Sequence, residues 1–145
     1  MESGFSRTTL SYNPLMRAVS VHWAGGPFAQ DVEVASHRLR ADEEVAHGGD
    51  DSGAEPHELL LAALGSCTAM TLKVYAERKG WPLTDVRVRL NGETTSGGLV
   101  ITRELALEGN LDAEQRQRLT EIADKCPVHK SLSNPIAIKT TTMPA

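Results

Sequence analysis

Residues 59–72 read LLLAALGSCTAMTL, fourteen positions without a charge, with Cys67 near the middle. How this run is read decides the fold. Lys73, Glu77, Arg78 and Lys79 follow directly, and a bilayer core asks for ~20 consecutive apolar residues. Fourteen therefore read as a buried core helix and not as a membrane span. Pro56 suits a first helical turn. Gly80-Trp81-Pro82 stops the helix, with Gly80 where a left-handed cap is wanted. The predicted helix runs from about Pro56 to Lys79 and is apolar nearly all round, so most of its faces should be covered.

Upstream of this helix, MRAVSVHWA (16–24) alternates as a strand does, and Gly25-Gly26-Pro27 punctuates it as a hairpin turn. FAQDVEVAS and HRLRADEE continue as one or two strands before a polar, glycine-rich loop, HGGDDSGAEP (47–56). Downstream, LTDVRVRLNG and GLVITRELALEG form two strands joined by TTSG, and VRVRL marks a sheet with one wet face. DAEQRQRLTEIADKC reads as a second helix with an acidic first turn, ending at Cys126 because the residue before a proline resists the α conformation. A short turn, PVHKSLS, leads into a last strand, PIAIKTTT. The order β-β-β-α-β-β-α-β predicts an α+β domain with antiparallel sheets. Residues 1–145 are expected to form one domain, or half of an intertwined dimer, with residues 1–15 loosely attached.

Composition narrows the function. Aromatic residues are 4% of the chain, so the core relies on aliphatic side chains. A net charge of −4 with no Lys/Arg run argues against nucleic acid as a partner. Two cysteines cannot build a disulfide framework, and MESGFSRTTL lacks the layout of a signal peptide. A cytoplasmic location with both thiols reduced is the expectation.

On composition alone, Cys67 is a small buried hydrophobe. Its small neighbours Gly65, Ser66 and Thr68 would let a reagent approach, and the one other cysteine, Cys126, stands at a helix end before a proline. A reactive thiol needs a positive neighbour or a hydrogen-bond donor to hold the thiolate; apolar burial alone does the reverse. Glu58 lies nine residues before Cys67, ~13 Å along a helix axis and on nearly the opposite side. It suits the helix dipole better than a direct role as a base. Cys126-Pro-Val-His129, with Cys67 and His57, offers four zinc-type ligands but lacks a second paired knuckle. His22, His37 and His47 show no spacing pattern, and dinucleotide, phosphate-loop and serine-elbow motifs are absent.

Two stretches, GAEPHELLLAALGSCTAMTLKVYAERKGWPL and IADKCPVHKSLS, resemble the two signature regions of the OsmC/Ohr family of thiol-dependent peroxidases. PIAIKTTT also matches the family layout, and ELLLAALGSC is similar to the OsmC-like branch. The resemblance covers about residues 42–142. It implies an OsmC-like fold in which antiparallel sheets flank two long central helices of an intertwined homodimer, with active sites at the dimer interface. By the same resemblance Cys67 is the peroxidatic cysteine and Cys126 the resolving one. A thiol reductant such as dihydrolipoamide restores the pair, and no metal or organic cofactor takes part. The thiolate–sulfenate–disulfide ladder suits such a pair.

Two positions depart from the Ohr-type pattern. His57 stands where a glutamate follows the proline, with Glu58 one residue later. The thiolate-stabilising arginine of the N-terminal strands has Arg38 and Arg40 as its nearest candidates and Arg17 as a weaker one. The leading reading is reduction of small organic hydroperoxides, with hydrogen peroxide as a further candidate substrate. The alternative is a non-catalytic or weakly active dimeric binding protein for a small apolar ligand.

Overall fold

The structure is a computed structural model, and it describes residues 15–144. All of the expected N-terminal segment except Leu15 lies outside the described residues. Five strands and three α-helices follow in the order β1 (Ser20–Trp23), β2 (Gln30–Val34), β3 (His37–Ala41), α1 (Pro56–Lys79), β4 (Leu83–Thr95), β5 (Gly98–Gly109), α2 (Ala113–Ile122) and α3 (Pro127–Leu132). The class is α+β with two small antiparallel sheets, β1-β2-β3 and β4-β5. The chain divides into two compact units: a sheet unit reaching to Ala63 and including Leu90–Arg103, and a helical unit of Leu64–Arg89 with Glu104 onward.

In the sheet unit, β1 pairs with β2 from Ser20↔Glu33 to Trp23↔Gln30, and β2 pairs with β3 from Gln30↔Ala41 to Val34↔His37. The first strand is shorter than its alternation predicts because it is extended only where β2 offers partners. The loop after β3 is held by Asp42, 2% exposed. Its carboxylate accepts from the N–H of Glu43 (2.7 Å), the N–H of Ser52 (3.0 Å) and the hydroxyl of Ser52 (2.5 Å). Gly49 approaches the backbone of Glu43 so closely that a Cβ there would collide with it.

In the helical unit, Leu64, Thr68, Leu72 and Ala76 recur every four residues along α1 and form its buried stripe. Leu72 and Ala76 join Leu111, Leu119, Ile122 and Ala123 in the core, with Tyr75, Trp81, Leu83 and Leu105 packed around them. The helix ends as its sequence predicts. Gly80 adopts φ +70°, its N–H bonds to Glu77 O and that of Trp81 to Ala76 O, the paired bonds of a Schellman cap. Trp81 then folds back edge-on to Tyr75, with ring centres 5.6 Å apart. At the start of α2, Asp112 and Gln115 form a reciprocal capping box.

Three expectations change. At 24 residues α1 is long and apolar enough, by length and composition, to cross a membrane, because the helix reaches beyond the fourteen uncharged positions. A core helix satisfies the same description, and α1 carries the core stripe. PVHKSLS is a helix and not a turn: Pro127 supplies the first-turn φ and Cys126 supplies the cap. Finally, residues 135–142 form no strand. An extended segment becomes a strand only against a hydrogen-bonding neighbour, and here Ile136 and Ile138 are 63% and 85% exposed.

Candidate active site

Cys67 and Cys126 are both free thiols in the helical unit. Cys67 precedes the buried Thr68 by one position on α1, a rotation of ~100° off the core stripe, and is therefore only partly buried. Cys126 follows a 3-10 turn, Ala123–Lys125, and takes the extended conformation (φ −66°, ψ 143°) that Pro127 demands. It is fully buried. Its Sγ accepts the backbone N–H of His129 at 3.2 Å, so the thiol acts as the N-terminal cap of α3.

Thr68 connects the two elements. Its hydroxyl donates to Leu64 O at 2.7 Å, and its oxygen lies 3.8 Å from Cys126 Sγ. Burial pushes the Cys67 thiol above the ordinary cysteine pKa, and the N–H of Val128 opposes that rise by favouring the thiolate. The Cys126 thiol adds to the rise, and the Thr71 hydroxyl, one turn along α1, opposes it weakly. Thr71 Oγ1 is buried yet closes no hydrogen bond of its own, so its influence on the thiol is that of a nearby dipole. The groups acting most on Cys67 are thus N–H, hydroxyl and thiol groups, and none is a cation.

The other candidates lie in the sheet unit. Glu58 Oε1 accepts the backbone N–H of Glu55 at 2.8 Å, while Glu55 Oε1 accepts that of His57 at 2.8 Å. Glu58 thus reaches back to the N–H preceding the helix while Glu55 caps the N–H of His57, and this accounts for Glu58 at the start of α1. The contacts with His57 hold the Glu55 carboxyl below its ordinary pKa. Arg38 and Arg40 stand on β3 directly opposite Glu33 and Asp31 of β2, pairing with them at 3.1 and 3.0 Å. Both arginines are committed to carboxylates of the neighbouring strand. Arg17 is exposed and outside any strand.

The zinc arrangement does not form as the spacing suggested. The His129 ring faces Asp124 at 3.8 Å, while it is the backbone of His129 that meets Cys126. Among the described residues no group of three or more His, Cys, Asp and Glu is arranged to hold a metal ion. Sequence reasoning missed Val128, Thr68 and Thr71. The Cys-Pro step, a cap followed by a helix-starting proline, was the signal for the first of these.

A family model described as OsmC-like protein matches residues 49–141, which include both cysteine contexts. The chain belongs to the OsmC-like family. No curated protein matches it significantly in sequence. Among solved structures it is similar to an OsmC-like protein from Mycoplasma pneumoniae (TM-score 0.73, 15% identity), covering 83% of this chain and 89% of that one. An organic hydroperoxide resistance protein OsmC from Legionella pneumophila is also similar (TM-score 0.64, 19% identity, 83% and 91% covered). So is the organic hydroperoxide resistance protein OhrB of Bacillus subtilis (TM-score 0.58, 20% identity, 81% and 90% covered). At these identities the structural likenesses establish the OsmC-like fold.

Proposed function

We propose that this OsmC-like protein is a cytoplasmic, cysteine-based peroxidase that reduces small organic hydroperoxides. The observation that carries the reading is a partly accessible thiol, Cys67, whose ionisation is influenced by a second, fully buried thiol, Cys126, itself held by the His129 N–H and the Thr68 hydroxyl. In the proposed cycle the Cys67 thiolate attacks the terminal peroxide oxygen. The O–O bond breaks, the alkoxide leaves as alcohol after taking a proton, and Cys67 becomes a sulfenic acid. Cys126 then attacks that sulfur: an S–S bond forms, the S–O bond breaks, and the thiol proton leaves with the hydroxide as water. A dithiol such as dihydrolipoamide reduces the disulfide, and no metal or organic cofactor takes part.

The active unit in this reading is a homodimer. Its support is the outer face of α1, where Ala63 and Met70 (57% exposed) lie opposite the buried stripe, together with exposed Leu39, Val100, Ile136 and Ile138. A groove of about 270 Å³ beside Met70 mixes the apolar Ala69, Leu83 and Val86 with Lys73, Thr84 and Asp85. A second copy is also the source we assign to a cation that would hold the Cys67 thiolate.

One equivalent of an alkyl hydroperoxide should yield a Cys67–Cys126 disulfide detectable by mass spectrometry, and Cys67→Ser should abolish peroxide consumption. Undiminished consumption by Cys67→Ser overturns the reading. The upward push on Cys67 favours a second reading, a dimeric protein that binds a small apolar ligand without turnover. Failure of dimedone to trap a Cys67 sulfenate under mild peroxide selects it.

A further inference from the structure

We propose that Thr68 is a positioning residue that keeps the proton on Cys126 until the disulfide-forming step. Thr68 and Cys126 are both fully buried, so neither has water as an alternative partner. A threonine hydroxyl carries one proton and two acceptor lone pairs. At 2.7 Å that proton goes to Leu64 O, the carbonyl one turn earlier on α1. The contact between Thr68 Oγ1 and Cys126 Sγ, at 3.8 Å, then has one consistent direction: the thiol donates and the hydroxyl oxygen accepts. A thiolate at Cys126 would have no proton to give, and two oxygen and sulfur lone pairs would face each other in a dry site.

The consequence falls on Cys67. Cys126 pushes the Cys67 thiol upward through a hydrogen bond first and through its charge second, since like charges oppose each other's ionisation. Holding Cys126 neutral removes that opposition while Cys67 waits for substrate. In the resolving step the same proton departs with the sulfenate hydroxide as water, so the buried thiol needs no separate base. The functional meaning of this device rests on the peroxidase reading; its existence does not.

The test needs no peroxide. The pH profile of Cys67 alkylation by iodoacetamide, followed by mass spectrometry, is compared in the reduced parent protein, Thr68→Val and Thr68→Ser, each with and without Cys126→Ala. Valine keeps the shape and loses the hydroxyl, whereas serine keeps the hydroxyl and loses the methyl. Thr68→Val should move the Cys67 midpoint up by at most roughly half to one pH unit, because the lost neutral hydrogen bond acts on Cys126 and reaches Cys67 only in part. Thr68→Ser should retain the parent profile, and Cys126→Ala should abolish the valine effect. An unchanged midpoint in Thr68→Val overturns the assignment. So do equal shifts in the valine and serine variants, which indicate packing, or a valine shift that survives Cys126→Ala. An alkyl hydroperoxide is then added to the parent: no Cys67 sulfenate or disulfide rejects the peroxidase reading and leaves the alkylation result standing.

Discussion

The two units of the molecule are held together by different physics. The helical unit has an apolar core in which Leu72 and Leu119 are fully buried and six residues form a continuous cluster. The sheet unit buries Ala29, Ala41 and Asp42, but leaves Val21 and Trp23 about 60% exposed. Its order comes from a ladder of strand bonds and from one carboxylate that fastens the loop after β3. The cysteines belong to the first kind of environment, which fixes their separation but tends to suppress ionisation. The arginines and Glu58 belong to the second, where exposed charges pair with one another.

Leu72→Ala probes the apolar half most severely. It leaves a cavity between α1 and α2 and should destabilise the protein by about 2–5 kcal/mol, read by denaturant unfolding. A loss below 1 kcal/mol breaks the contrast, because the core would then not hold the helical unit together.

The carboxylate staple gives the corresponding test for the sheet unit, with a pH signature that the apolar core lacks. Hydrogen bonds from the Ser52 side chain first, then from the Ser52 and Glu43 N–H groups, hold Asp42 below its ordinary pKa. A carboxyl depressed in the folded state contributes stability above its unfolded pKa and loses it as pH falls through the folded one. Stability should therefore fall in the acid range below about pH 4. Asp42→Asn should lower stability at neutral pH and remove that part of the acid dependence, since an amide has no proton to take up. Parallel unfolding curves against pH for the two proteins would reject the staple.

The sequence made the helical unit more legible than the sheet unit, and the same physics says why. The charge-free run, Pro56 and Gly80 are local signals, and α1 begins and ends where they point. The strands at 83–92 and 98–109 were equally readable from alternation. The last strand was not, because PIAIKTTT has strand composition but finds no partner among the described residues, and pairing is a property of two segments. At the candidate site, both cysteines were legible, while the N–H of Val128 and the hydroxyl of Thr68 were not. Backbone donors carry no residue signature, and a threonine beside a cysteine is read as a small neighbour. Glu58 shows the opposite case: the dipole argument placed it at the helix start, and there its carboxylate accepts the N–H of Glu55.

The smallest expected effect concerns the cross-strand pairs. Arg40 bonds Asp31 through both Nε (3.3 Å) and Nη2 (3.0 Å) to the same oxygen, with the two side chains 43% and 51% exposed. Such a pair contributes about 0.2–1 kcal/mol, and salt screens it. Arg40→Ala should cost a few tenths of a kcal/mol at low ionic strength, within that range, and less at high salt. The more exposed Arg38→Ala should do less still. If the two arginines serve only the sheet, neither substitution should alter the pH profile of Cys67 alkylation. A rise in the Cys67 midpoint in Arg38→Ala or Arg40→Ala that grows with protein concentration would instead mean that a sheet arginine reaches the thiol when two copies meet. The commitment of both arginines to Glu33 and Asp31 would then hold for the isolated chain alone.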